Sequence, residues 1–402
     1  MTLELQHDIS SGDSHLIPSA INLWKNLLTA FCGAWLAVSF MGCSSYSSSG
    51  KTYTTPTPPP TQNSSPALWV ANGTNVLEFS STELTTQGSA AAAPTLALNS
   101  SAFAAPQGVV FDTSGNLWVI DGGTVSTGGK ANPALYQFTS ANLSALQSST
   151  AAAPNVTIAS SVFIFPQQAV FDSKGDLWVS DNGANEIFEF MPSQLMASGT
   201  AVTPNITIKS TPAFSGALGI AFDSAGDLWI ANNGTTTIFE FNAASLPTAS
   251  GSVTLTPNIM LSDDGKQSIQ GPWALAFDSS GNLWSSNANA PNTVVQFSKA
   301  SLTASGSPTP AVMLSPTQVG GNASLSAPNG IAFDNTGDLS AVSSAAPFGV
   351  ALYSSSQLTA GGAVAPNVFI VGAATTLNAP AGDTFGPTIT YGSSGTYSGT
   401  MY

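Results

Sequence analysis

The chain has 402 residues, enough for one large domain or a few ordinary ones. Only 7% of them are charged and the formal net charge is −14, so nucleic-acid phosphates and anionic lipid surfaces repel it. No arginine occurs, which removes the usual bidentate anchor for phosphate or carboxylate ligands. With 37 Gly and 26 Pro, the composition favours strands joined by tight turns over long helices.

The first element in chain order reads as an export signal. Lys25 precedes an apolar run from Asn26 to Gly42, which ends at Cys43. This stretch resembles a bacterial lipoprotein signal, in which a peptidase cuts before a cysteine that then receives lipid. The resemblance implies that residues 1–42 are removed and that Cys43 is lipidated. Phe40 stands where such signals prefer Leu, and the leader carries Glu4, Asp8 and Asp13, so a signal-anchor helix is the alternative. Either way the rest of the chain is exported, to the periplasm or cell surface, and meets the membrane through its N-terminal anchor alone. Residues 43–66, rich in Ser, Thr and Pro, read as an extended tether. Cys32 lies in the signal and Cys43 at its end, so residues 67–402 contain no thiol. His7 and His15 also precede Cys43, which leaves those residues without histidine.

From Ala67 onward one unit repeats. Its tryptophans are Trp69, Trp118, Trp178, Trp229 and Trp284, with Ser340 and Ser398 continuing the series, about 50–60 residues apart. Within the unit from Pro166, "PQQAVFD" reads as a first strand, "SKG" as a turn and "DLWVSD" as an alternating second strand. "EIFEF" is a third strand and "PNITI" an outer fourth. Gly175 sits where the turn requires positive φ. A period this long with four strands implies propeller blades rather than a helical solenoid. The expected fold is all-β: a six-bladed β-propeller of four-stranded antiparallel blades spanning 67–402. The repeat region starts in mid-unit at Ala67, and the C-terminal "ITYGSSG" matches a first strand, so N- and C-terminal strands should close one blade together.

The unit, from "PQQAVFDSKGDLWVSDNG" to its counterparts, resembles the NHL-repeat and SMP-30/gluconolactonase-like propellers. The resemblance implies a six-bladed ring and leaves function open, because those groups include hydrolases, lyases and binding modules. This unit is longer than a typical NHL repeat and lacks the basic residue often found after its second strand.

Asp112, Asp172, Asp223, Asp278 and Asp334 hold one position in five units. "DSKGD" echoes a calcium loop, but the run continues into a strand with no bidentate Glu, and a turn carboxylate can accept backbone N–H bonds instead. Repetition in every blade points to the scaffold, and the tryptophans read in the same way as inter-blade packing. A ligand site needs unlike residues. After the leading Pro or Ala of each first strand come Gln107, Gln167, Leu218, Trp273 and Asn329, and the loops after the second strands offer Asp181 and Asn182. Gln107, Gln167, Trp273, Asn329, Asp181 and Asn182 therefore form the candidate ligand-binding set, suited to a glycan or peptide at the channel mouth. The expected function is a non-catalytic binding or scaffold propeller, monomeric, needing no cofactor or metal. The alternative is an SMP-30-like lactone hydrolase or lyase with a loop carboxylate site.

Overall fold

The computed structural model describes residues 66–387, apart from 86–87, 91, 127–128, 147–150 and 360. The segments read from sequence as signal (1–42) and tether (43–66), Cys43 included, lie outside the described residues apart from Pro66.

Alternation of apolar and polar side chains, broken by Gly-containing turns, makes each unit a meander of short strands. Blade 2 runs Pro106–Phe111, Leu117–Asp121, Ala134–Phe138 and Val156–Ala159, each strand antiparallel to the one before. Blade 3 runs Pro166–Phe171, Leu177–Asp181, Glu186–Phe190 and Ile206–Ser210. Blade 4 runs Ala217–Phe222, Leu228–Asn232, Thr237–Phe241 and Ile259–Ser262. Blade 5 runs Pro272–Phe277, Leu283–Asn287, Val294–Phe297 and Val312–Leu314. Blade 6 runs Pro328–Phe333, Leu339–Ser343, Gly349–Tyr353 and Val368–Val371. Blade 1 takes its first strand from the C-terminal side, Pro380–Gly386, and the others from the N-terminal side: Ala67–Asn72, Asn75–Phe79 and Leu96–Asn99. The described residues thus form a six-bladed β-propeller with one shared blade.

The closing strand is a correction in register. The sequence placed it in "ITYGSSG", which lies outside the described residues, as does Ser398. Pro380–Gly386 closes the ring instead, with Thr384 opposite Trp69 as Val110 is opposite Trp118. Its hydrophobic pattern is interrupted. Asp383 occupies the place held by Val109, Ala169, Ile220, Leu275 and Ile331 in the other blades.

The core is divided among the six seams between neighbouring blades. Each tryptophan packs into the next blade, edge-on to the last phenylalanine of its first strand. The pairs are Trp69–Phe111, Trp118–Phe171, Trp178–Phe222, Trp229–Phe277 and Trp284–Phe333, with centroids 5.6 to 6.4 Å apart. Such pairs contribute about 0.5–1.5 kcal/mol beyond the area they bury. At the sixth seam Ser340 replaces the indole, and its Oγ donates to Asp383 Oδ2 at 2.5 Å. Aliphatic side chains such as Val70, Leu77, Val342 and Ile370 fill the remainder.

Outer edges are covered by the following unit. Ser210 and its neighbours pair in parallel with Gly251–Leu255, and Val368–Val371 pairs in parallel with Gly88–Ala90. Single parallel bridges do the same at Asn99, Ile158, Leu261 and Leu314. Each fourth strand is thereby partly shielded from edge-to-edge association.

Candidate functional site

The first strands adjoin one another around the axis. Except for Gln168 in blade 3, their third positions are small where backbones meet: a Cβ on Gly108 would lie 2.6 Å from Gln167 O, and one on Gly382 would lie 2.7 Å from Gln107 O. The position before these is bulged in the blade ladder, at Pro106/Gly108, Pro166/Gln168 and Pro328/Gly330, and within wider shifts in blades 4 and 5. A bulge takes a residue out of the pleat and re-aims its side chain. Gln107, Gln167, Trp273 and Asn329 therefore share one level of the inner ring. Gln167 and Asn329 are buried, while Gln107 and Trp273 are half-buried. Gln107 Nε2 donates to Ala105 O at 3.2 Å. Asn329 Oδ1 is enclosed without a hydrogen-bond partner among the described residues.

On the face carrying the loops between second and third strands, the last residue of each second strand is a buried cap. Asp181 receives N–H bonds from Ile164 at 2.8 Å, Phe165 at 2.9 Å and Ala184 at 2.8 Å. Asp121 does the same for Ala104 and Gly123, both at 2.8 Å. Burial, the larger effect, raises both carboxyls above the usual aspartate value, and the backbone donors pull the other way. Where the loop also offers acceptors, Asn replaces Asp. Asn232 Oδ1 accepts from Ser215 N at 2.6 Å, while its Nδ2 donates to Thr235 Oγ1 at 2.6 Å. Asn287 and Asn72 behave alike toward Gln270 N and Asn378 N. Asp181 is thus placed below the surface, holding the loop that presents its neighbour Asn182.

Above these caps an arc of amides crosses three blades. A Cβ on Gly216 would lie 3.4 Å from Asn182 Oδ1 and 3.5 Å from Asn233 Cβ. One on Gly271 would lie 2.5 Å from Asn289 Nδ2 and 3.3 Å from Asn233 Nδ2. Both glycines have positive φ, so the backbone there excludes ordinary side chains as well. Asn233 Nδ2 reaches Pro272 O at 3.3 Å, beside Trp273. Ile164, 45% exposed, stands at one end of the arc against Gly183. The two glycines and Ile164 drew no attention in sequence. An unusual Gly immediately before the first strand in blades 4 and 5 was the available signal.

At the opposite, hairpin-bearing end the recurring aspartates are occupied by the chain itself. Asp278 Oδ1 accepts from Ser280 N at 2.9 Å and Asn282 N at 3.0 Å, and Oδ2 accepts from Trp284 Nε1 at 3.0 Å. The same indole bond joins Trp118 to Asp112, Trp178 to Asp172 and Trp229 to Asp223. One carboxylate therefore ties the turn to the inter-blade indole. In blade 1 Gly386 follows the phenylalanine at this place, and Trp69 Nε1 has no acceptor among the described residues. Among the described residues no group of three or more His, Cys, Asp or Glu is placed to hold a metal ion.

No protein-family model and no curated protein matches the sequence. Solved structures match the fold. A periplasmic gluconolactonase of Pseudomonas aeruginosa aligns at TM-score 0.51 and 14% identity, over 81% of this chain and 100% of its own. A chain of a nidogen/laminin complex aligns at 0.52 and 15%, over 80% of this chain and 98% of its own. A streptogramin B lyase aligns at only 0.39 and 16%, over 63% of this chain and 66% of its own, a likeness too loose to carry weight. At these identities the shared property is architecture: the chain is a six-bladed β-propeller, a fold found both in an enzyme and in a protein complex.

Proposed function

We propose that the ring binds a neutral, polar ligand, a glycan or peptide segment, on the face bearing the amide arc. The observation that carries this reading is the continuity of Asn182, Asn233 and Asn289 across three blades beside half-buried Trp273. Amides offer donors and acceptors together, and an indole offers a flat apolar wall, the combination that polar ligands with apolar faces need. Asn329 Oδ1 adds an unpaired acceptor in the inner wall. The carboxylates of this face, Asp121 and Asp181, are committed to backbone N–H groups, so they shape the site rather than charge it. Export and a lipid anchor at Cys43 belong to the same proposal, since they would hold the ring outside the cytoplasm.

Glycan and peptide arrays probed with the full chain test the reading. Hits should weaken at least tenfold in Trp273→Ala and Asn233→Ala, with the melting transition little changed. A panel without hits, or hits indifferent to both substitutions, overturns it. The second reading, lactone hydrolysis, draws on the gluconolactonase likeness, which is one of fold. It requires Asp181 to leave three backbone donors. Turnover of lactone panels that is abolished by Asp181→Asn would establish it in place of the first.

A further inference from the structure

Blades 2 to 5 share a triad at the hairpin end: the turn aspartate, the residue four places on, and the residue paired with the tryptophan on the third strand. In blades 2 and 5 the triads are Asp112, Asn116, Gln137 and Asp278, Asn282, Gln296. There the amides donate to the turn carboxylate. Asn116 Nδ2 and Asn282 Nδ2 lie 2.9 Å from Oδ2, and Gln296 Nε2 lies 3.2 Å from it. In blades 3 and 4 the triads are Asp172, Asp176, Glu189 and Asp223, Asp227, Glu240. In both of these blades acids stand at the two positions that carry amides in blades 2 and 5. Three carboxyl groups stand there in place of one, and the triad itself supplies no side-chain amide donor.

Local geometry sharpens the deficit. In blades 2, 4, 5 and 6 the second triad position accepts a backbone N–H from the segment after the third strand: Ser140, Ala243, Lys299 and Ser355. In blade 3 Pro192 holds that place and has no N–H to give. Asp176, 7% exposed, lacks that donor and lies on the same face as Glu189, which is 4% exposed and opposite Trp178. Two buried neighbouring carboxylates repel each other, and a proton held by either one removes that repulsion. In blade 4 Glu240 is 2% exposed, and its Oε2 has no hydrogen-bond partner among the described residues. It lines a cavity of about 250 Å³ with Asp223 and Asp227.

We infer that blades 3 and 4 each hold a proton inside their carboxyl triad, where it replaces the amide N–H groups of blades 2 and 5. A protonated carboxyl, like a carboxamide, is donor and acceptor at once. The groups facing it in blade 3 are Asp172, Lys174 and Asn205, whose Nδ2 donates to Glu189 Oε2 at 2.8 Å. In blade 4 they are Asp223 and Asp227, with Lys299 across the seam. Burial first, then Asp227 and Asp223, push Glu240 up to about 7, and burial raises Asp176 and Glu189 in the same direction. A carboxyl raised on folding binds more protons in the native than in the unfolded state. Its stabilisation is complete below the unfolded value and is lost as pH rises through the folded one. Blades 3 and 4 therefore tighten on acidification.

The test compares the full chain with a variant in which Asp176→Asn, Glu189→Gln, Asp227→Asn and Glu240→Gln copy blades 2 and 5. The parent's folding constant should fall more steeply between pH 5 and 7, by up to about tenfold per pH unit for each proton lost. At pH 8 the variant should melt at or above the parent. Infrared spectra at pH 6 should show protonated-carboxyl absorption in the parent that is diminished in the variant. Parallel pH profiles together with unchanged infrared absorption overturn the inference. So does calcium that raises the parent's melting temperature but not the variant's, because a metal cation would then fill the triads. If the fourfold variant does not fold, Glu240→Gln alone carries the same comparison.

Discussion

Replacing Asp278 by Ala tests the scaffold role of the repeated aspartate, and Asp334→Ala supplies the control inside the same molecule. Asp278 accepts two turn N–H bonds through Oδ1 and three side-chain donors through Oδ2, among them the indole of Trp284. Trp284 is 1% exposed, so the substitution strands its N–H away from water. That alone costs about 1–3 kcal/mol, and the loss of the turn bonds adds about 1 kcal/mol, since water replaces much of what they gave. Asp334 holds the same turn through Thr336 and Asp338, but Ser340 stands where the indole would be. Only the turn term remains, about 1 kcal/mol. Urea unfolding of the two variants should therefore differ by about 2 kcal/mol, with Asp278→Ala the weaker. Equal losses, or two losses below about 0.5 kcal/mol, would refute the claim that the carboxylate ties turn to indole.

The same carboxylate predicts an acid limb. Its hydrogen bonds hold Asp278 below the usual aspartate value despite opposing burial, so its contribution is present above the unfolded value and lost as pH falls through the folded one. Asp278→Ala should flatten that limb in melting curves taken between pH 5 and 2. Asp383 behaves oppositely: burial pushes it up to about 7, with the Ser340 bond opposing. Asp383→Asn should raise stability at pH 8 by on the order of 4 kcal/mol and by less than about half of that at pH 5, read by thermal unfolding. Gly219→Ala would drive a methyl group into the Trp273 carbonyl, and a loss of about 1–3 kcal/mol is expected in urea unfolding.

Much of the ring was readable because its units repeat. The phenylalanine, the turn aspartate with its positive-φ glycine, and the tryptophan recur, and each has one structural task. The closing strand escaped for a physical reason. Asp383 breaks the apolar pattern of Pro380–Gly386, Gly386 stands where other units have the turn aspartate, and the tryptophan that completes the unit is Trp69, at the other end of the chain. Asp181 looked like a site residue because an exposed loop acid and a buried cap have the same spelling. The difference lies in three backbone N–H groups that sequence does not display. Gln107, Trp273 and Asn182 retain some exposure, whereas Gln167 and Asn329 are enclosed. The amide arc depends on Gly216 and Gly271 bringing side chains of different blades together, a relation between units that no single unit spells out.

Diffraction from crystals grown at neutral pH with calcium and manganese examines the central claim most directly. The account predicts six sheets around one channel, with Asp112, Asp172, Asp223, Asp278 and Asp334 bonded to their own turns and no anomalous scatterer beside them. A metal ion seated at those hairpins, or a ring with another number of sheets, would contradict it.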